Sequence, residues 1–266
     1  MIPTSRTPIQ IGTQVRSDVA RQLANVVLVP LGIALSYVPS TGGRNAGVVS
    51  RAHEPLLAAA GWAFAIWGLL FSAQLAYAVY QALPSHRSDA LLRRIGWLTA
   101  LNSVLAGLWT MVFCRELLTL SWLMMLVLLA TLVVIDVRLR DDARQGAARW
   151  LVRVTFGANL GWIAVATLLD TSLFLYDVVG WKGAPLGPVA WSQLVVGLAL
   201  VLAVALVIAR QNYAFGIVVA WGLVAIGAYR MSVARALGLT AWGAALVIVV
   251  VVVARAITSS YRRATS

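Results

Sequence analysis

The sequence predicts an all-α polytopic membrane protein whose chain crosses the bilayer eight times. Of its 266 residues, 61% are hydrophobic, and only 21 basic and 9 acidic residues are present. A soluble domain is nearer half apolar and a quarter charged, so this chain has too few polar residues to cover its own surface. A crossing needs about 20 apolar residues, and eight runs approach that length. Neither an aqueous enzyme domain nor a disordered chain fits this composition.

The eight runs are separated by short polar segments. In chain order they are Leu23–Val38, Leu56–Leu83, Ile95–Cys114, Leu117–Val137, Trp150–Leu169, Val189–Ala209, Tyr213–Tyr229 and Leu237–Ala254. The first contains Pro30, which predicts a kink. The segment Arg210-Gln211-Asn212 leaves room only for a tight turn. Seven spans with a re-entrant segment beside this turn are therefore the alternative.

The basic residues predict the orientation. With eight spans, 15 of the 21 basic residues lie on the side of both termini and 6 on the other. The positive-inside rule then places both termini in the cytoplasm. The membrane that we expect is a bacterial inner membrane. The net charge of +12 matches anionic lipid headgroups. Nucleic acid is not an expected partner, because no basic cluster occurs within a polar domain.

Signatures of enzymes and metal sites are missing from the sequence. His53 and His86 lie in loops outside any H-E-x-x-H motif, and neither G-x-S-x-G nor a phosphate loop occurs. The only lysine, Lys182, lies in a loop, where it cannot form a retinal Schiff base within a helix. A single cysteine, Cys114, excludes an internal disulfide. We therefore expect no catalytic residue, no metal and no cofactor.

Eleven tryptophans are the most distinctive feature of the composition. Six of them lie near span ends, where an interfacial aromatic belt is expected: Trp97, Trp122, Trp150, Trp181, Trp191 and Trp242. Four lie deeper: Trp67, Trp109, Trp162 and Trp221. The deeper four either pack between helices or face a ligand, and their positions leave both interpretations open.

Amides accompany the deeper tryptophans at helical spacing. Gln74 follows Trp67 by seven residues, Trp109 follows Asn102 by seven, and Trp162 follows Asn159 by three. Polar side chains at membrane depth normally face the protein interior or a cavity. The sequence therefore predicts a pocket for a flat, apolar ligand. The alternative is that Gln74, Asn102 and Asn159 only hydrogen-bond between helices.

The acidic residues and a glycine motif complete the candidate features. Asp136 and Asp170 lie at the ends of the predicted spans, so no acid–base relay is expected inside the membrane. Gly157 and Gly161 form a G-x-x-x-G motif in the fifth span. Such a motif seats either a neighbouring helix or a second protomer.

Three segments of the sequence carry a family resemblance. They are the run Ala59–Phe71 with its W-x-F and W-x-x-L elements, Leu101-Asn102 followed by Trp109, and Asn159-Leu160-Gly161-Trp162 followed by Ala166-Thr167. Together they resemble the TspO/MBR family, the tryptophan-rich sensory proteins related to the mitochondrial translocator protein. The resemblance covers about residues 20–170, or five spans. In the remainder, Asn212-Tyr213 leading to Trp221-Gly222-Leu223 is similar to the tail of longer bacterial members.

The resemblance implies a five-helix bundle with a central pocket that binds porphyrins and other apolar ligands, and often a homodimer. The domains then follow: a polar N-terminal segment (1–21), a five-span bundle (22–170), a loop (171–188), three additional spans (189–257) and a tail (258–266). The pocket residues that the resemblance implies are Trp67, Asn102, Trp109, Asn159 and Trp162, and the helical stripe of the second span adds Gln74 as a further ligand-binding candidate.

The chain also departs from the family pattern. Residues 41–55 lack the Trp and Lys of the family's lid motif. Asn159 stands where an aromatic residue is usual, and Asp170 where Asn is usual.

The function expected from these features is binding of an apolar or tetrapyrrole-like small molecule, as a sensor or carrier, without covalent chemistry. Three alternatives stay open: a secondary transporter of a small apolar substrate, a tetrapyrrole-modifying membrane enzyme, and an assembly subunit without a ligand. The expected partners are the ligand, the lipid bilayer and a second copy of the chain.

Overall fold

The computed structural model describes residues 8–43, 45–53, 55–140 and 146–264. Eight helices in this part are long and apolar enough to cross a membrane, which confirms the predicted all-α polytopic architecture. We number them α1 to α8. They are Pro8–Tyr37, Ile66–Ala82, Ala90–Phe113, Leu118–Arg138, Thr155–Leu173, Pro188–Arg210, Tyr213–Arg230 and Arg235–Ala264. Short π-helical turns, Trp150–Val154 and Phe174–Val178, extend α5 at both ends.

Helix α1 begins at Pro8, well before the apolar run expected from Leu23. Its first turns carry buried polar residues that bind the ends of α2 and α3. Arg21 is 1% exposed and donates to Gln81 Oε1 at 3.3 Å and to the Arg87 carbonyl at 3.0 Å. Asp18 forms an ion pair with Arg93. Residues 8–22 therefore belong to the first helix, and the side chains of Asp18 and Arg21 bind the ends of neighbouring helices.

The second apolar run is not one helix. Residues 55–60 are non-helical, Gly61–Ala65 forms a 3₁₀ turn, and α2 begins only at Ile66. Backbone groups here find partners on α7: Ala60 N donates to the Ala225 carbonyl at 3.1 Å, and Trp221 Nε1 donates to the Ala63 carbonyl at 3.1 Å. Irregular backbone at membrane depth needs such protein partners.

A two-residue turn joins α6 to α7. Gln211 adopts φ 52°, the left-handed conformation that ends many helices. Asn212 caps α7 by accepting a hydrogen bond from Phe215 N at 3.1 Å. Both helices are long and apolar enough to cross a membrane, which favours eight spans over the seven-span alternative.

Five helices form a closed ring. Helix α1 packs against α2 and α3, α3 against α4, α4 against α5, and α5 against α2. Helix α7 packs on α5 outside this ring, and α6 and α8 pack on α7. The start of α1 and the end of α8 lie on one side, which we call the termini side. The other, the far side, carries residues 38–43, 45–53, 55–65, 114–117, 179–187 and 231–234.

Glycines allow two of these contacts to be very close. A Cβ added to Gly32 of α1 would lie 2.1 Å from the Ser103 carbonyl oxygen of α3. A Cβ added to Gly161 of α5 would lie 2.8 Å from the Phe215 carbonyl oxygen of α7, and one on Gly157 would meet Asn212. The G-x-x-x-G motif therefore seats α7, a neighbouring helix of the same chain.

Candidate functional site

A cavity of about 400 Å³ opens in the far half of the ring. It lies between the end of α1, a short helix Ala46–Ala52 that we call the cover helix, the start of α2, and α3. Its aromatic lining is contributed by Tyr37, Phe64, Trp67 and Phe71. Trp67 and Phe71 stack with ring centroids 5.1 Å apart, and Tyr37 meets Phe71 edge-on at 5.9 Å.

The cover helix forms part of the wall of this cavity, although residues 41–55 lack the family's lid motif. Ala46 and Gly47 line the cavity, and Val49 is 1% exposed because it packs into the core. At its end, His53 Nδ1 contacts the Asp177 carboxylate, and His53 Nε2 lies 3.8 Å from a Glu116 carboxylate oxygen. The cover helix is thus tied to the far ends of α3 and α5.

Helix α7 holds the non-helical segment that follows the cover helix. Arg230, which is 6% exposed, donates to the Pro55 carbonyl, in addition to the hydrogen bonds of Ala60 and Ala63 described above. The indoles of Trp62 and Trp221 meet edge-on with centroids 4.8 Å apart. The cavity wall therefore depends on a helix outside the five-helix ring.

A second, small cavity of about 20 Å³ lies between the cover helix, α3 and α5, and it has space for about one water molecule. Trp109, Trp162, Asp170 and Ser50 line it. The Asp170 carboxylate faces Trp109 and the Ser121 hydroxyl. Within the described residues, Trp109 Nε1, Trp162 Nε1 and Asp170 Oδ2 are buried without a hydrogen-bond partner of good geometry. Two N–H donors and a carboxylate oxygen therefore converge on one small space.

Phe64 lines both cavities and separates them. Its ring stands edge-on to Trp162, with centroids 5.7 Å apart, and Trp67 meets Trp162 in the same way at 6.2 Å. The three tryptophans expected in one pocket are thus neighbours but not all in one space. Trp109 and Trp162 face the small cavity, whereas Trp67 faces the large one.

The three amides make hydrogen bonds between helices. Gln74 Nε2 donates to Asn159 Oδ1 at 2.7 Å, and Gln74 Oε1 accepts from Ser103 Oγ at 3.3 Å. Asn102 Nδ2 donates to Thr131 Oγ1 at 2.6 Å. None of the three amides is among the residues that line either cavity. Their polar groups are thus used in hydrogen bonds between helices, and a role in ligand binding stays a prediction.

Asp170 is the candidate residue that sequence reasoning placed incorrectly. The predicted fifth span ended at Leu169, which put Asp170 at a span end, but the span continues to Val178 and Asp170 is 4% exposed. The sequence contained a signal, because Asp170 lies eight residues after Trp162 and four after Ala166 on the same stripe. The predicted span ended before Asp170 because polar residues further along the helix, including Tyr176 and Asp177, interrupt the apolar run.

The described residues contain no group of three His, Cys, Asp or Glu side chains arranged to hold a metal ion. The site therefore offers aromatic surface, two indole donors and one carboxylate. Such a set can bind a flat apolar molecule with a small polar group.

One comparison with known proteins gives a match. A family model described as TSPO-like protein matches residues 22–254, a range that includes all three spans beyond the five-helix ring. Neither a curated protein nor a solved structure matches the chain. The family match spans most of the 266 residues, and the chain therefore belongs to the TSPO-like family of multi-pass membrane proteins.

Proposed function

We propose that this protein binds a flat, apolar, tetrapyrrole-like small molecule in the 400 Å³ cavity, as a sensor or carrier without covalent chemistry. The observation that carries the proposal is the aromatic lining by Tyr37, Phe64, Trp67 and Phe71 beneath the cover helix. Cavities of about 300–1,000 Å³ with apolar, aromatic walls are typical of small-molecule sites.

The small cavity supplies the polar end of the proposed site. Rotation of Phe64 would join the two spaces, because its ring is the side chain that lines both. A ligand edge carrying both a donor and an acceptor could then reach Trp162 Nε1 and Asp170 Oδ2, which have no partner of good geometry in the described residues. Satisfying buried polar atoms favours binding, since leaving them unpaired costs free energy. Gln74, Asn102 and Asn159 contribute by fixing the helices that carry these groups.

The proposal can be tested by titrating protoporphyrin IX into the purified protein in nanodiscs and following tryptophan quenching. Trp162→Ala should weaken binding about tenfold, because an indole contact adds to the apolar area that is lost. Trp97→Ala is the matched control, since Trp97 is 52% exposed and lies on the outer face of α3. Equal affinity of the folded Trp162→Ala variant and the unchanged protein would contradict the proposal.

A second candidate, proton-coupled transport of a small apolar substrate, is favoured by the burial of Asp170. Carboxylates inside the membrane are costly and commonly mark proton relays or substrate paths. In proteoliposomes, Asp170→Asn would abolish proton-driven uptake if Asp170 carries the proton. Binding with the same affinity in both proteins and no uptake in either would leave the sensor function.

The membrane and the partners are part of the same proposal. The excess of basic residues on the termini side supports a bacterial inner membrane with both termini in the cytoplasm. A homodimer would need a surface other than the Gly157–Gly161 face, because α7 covers that face. We do not expect nucleic acid as a partner.

A further inference from the structure

We infer that a third cavity, outside the five-helix ring, binds one acyl chain of an anionic amphiphile, and that Lys182 holds the charged group of this ligand. The cavity measures about 220 Å³ and lies between α5, α6 and the loop of residues 179–187. This site shares no lining residue with the two cavities above and does not rest on the function proposed for them.

The walls of this third cavity are mostly apolar. Leu56, Leu168, Leu175 and Val195 line it, together with the indoles of Trp181 and Trp191. The two indoles meet edge-on, with ring centroids 5.3 Å apart. Such walls match a hydrocarbon chain. The volume is below the range of about 300–1,000 Å³ that encloses a drug-sized molecule, so the cavity suits part of a chain better than a tetrapyrrole.

Lys182 places a positive charge at this cavity. Its Nζ donates to the Tyr176 carbonyl at 3.2 Å and lies 3.1 Å from the centroid of the Tyr176 ring. The loop that carries it is fixed by a hydrogen bond from Trp181 N to the Leu175 carbonyl at 2.8 Å. An ammonium has three donors, and the Tyr176 carbonyl takes one of them.

No carboxylate in the described part of the chain is paired with Lys182. The acidic residue closest to the loop in sequence, Asp177, contacts His53 instead. An uncompensated cation beside an apolar cavity is complementary to a ligand that carries a negative charge and a hydrocarbon chain.

Two further features favour an anion. Trp191 Nε1 is buried and has no acceptor within the described residues, so it is a second donor at the cavity. Helix α6 begins at Pro188, which also lines the cavity, and its first turn contains no acidic residue. The N-terminal end of a helix carries partial positive charge, which attracts anions.

Either a free fatty acid or an anionic phospholipid could supply the negative charge and the hydrocarbon chain, and one experiment distinguishes these two ligands. Dibromostearate and its uncharged methyl ester are titrated into the full-length protein in phosphatidylcholine nanodiscs, with tryptophan quenching as the readout. Saturable quenching by dibromostearate that is lost in the Trp181→Phe, Trp191→Phe double variant would locate the ligand. In a parallel arm, brominated phosphatidylglycerol is compared with brominated phosphatidylcholine.

The charge is tested with Lys182 variants. Lys182→Gln should weaken dibromostearate binding about fivefold, as expected for a partly exposed ion pair, without changing the affinity of the methyl ester. Lys182→Arg should retain the affinity for dibromostearate. Arg235→Gln is the matched control, because Arg235 is an exposed basic residue on the same side of the protein.

The two titrations distinguish a fatty acid site, a phospholipid site and the absence of a site. Lys182-dependent quenching by dibromostearate alone assigns the site to a free fatty acid. Lys182-dependent quenching by phosphatidylglycerol in excess of phosphatidylcholine assigns it to a phospholipid. Absence of both, or an equal effect of Lys182→Gln on the acid and the ester, overturns the proposal.

Discussion

The indole of Trp162 stands edge-on to the indole of Trp67, with ring centroids 6.2 Å apart and an angle of 86° between the planes. Trp162 lines the small cavity, and Trp67 lines the large cavity. The pair therefore forms part of the boundary between apolar surface and unpaired polar atoms. A ligand that touches both must be apolar over most of its area and polar at one edge.

The hydrogen bond between Gln74 and Asn159 should stabilise the ring. We expect Gln74→Leu and Asn159→Leu each to lower the free energy of unfolding. The loss of unfolding free energy in the double variant should be smaller than the sum of the two single losses by about 0.6 kcal/mol, which is the average coupling of such hydrogen-bonded pairs in membranes. Gln74 and Asn102 share no hydrogen bond, so Gln74→Leu with Asn102→Leu should be additive. Additive losses for Gln74 and Asn159, measured by reversible unfolding in detergent, would contradict this account.

The orientation can be tested by cysteine labelling in a Cys114→Ser background, since Cys114 is buried. An impermeant maleimide applied to intact cells should label Gly42→Cys on the far side. It should not label Ser88→Cys on the termini side, because the basic residues favour the cytoplasm there. Ala143→Cys, which lies outside the described residues, should also be protected. Labelling at Ser88 and protection at Gly42 would reverse the orientation.

The three additional spans should be needed for the cavity wall. A chain that ends at Asp177 is expected to insert its five spans but to lose the partners of Ala60 and Ala63 on α7. Hydrogen exchange in residues 55–65 should therefore accelerate, while exchange in the middle of α3, which packs mainly on α1 and α4, stays slow. Unchanged exchange in residues 55–65 would show that the five-span bundle builds this wall alone.

The span count and the inward faces could be predicted from the sequence because both depend on hydrophobicity averaged over many residues. On α2, for example, the stripe of Leu70, Gln74, Tyr77 and Gln81 is buried as the helical spacing predicts. The burial of Asp18 and Arg21 in α1 could not be predicted in this way. Arg21 can be buried only because its guanidinium donates to acceptors that lie 60 or more residues away in the chain.

The details of the site depended on partners that one sequence does not reveal. Asn102 and Trp109 share a helical stripe, but Asn102 bonds to Thr131 on the next helix, whereas Trp109 faces the small cavity. The cover helix could not be predicted because its sequence lacks the lid motif. It is held in place by the contacts of His53 and by the hydrogen bonds that α7 makes to the segment after it. Asp170 was misplaced because π-helical turns continue the span through polar residues.

The most direct test of the proposed binding site is to fill the large cavity from Gly68. This glycine lines the cavity, and a Cβ added to it would meet nothing within 4 Å, so a larger side chain fits without displacing the backbone. Gly197 of α6 has the same open surroundings but lines none of the three cavities, which makes Gly197→Leu the matched control. Protoporphyrin IX affinity should fall at least about tenfold in Gly68→Leu, since the side chain occupies space that the ligand needs. It should stay unchanged in Gly197→Leu. Full affinity in a folded Gly68→Leu protein would contradict the assignment of the ligand to this cavity.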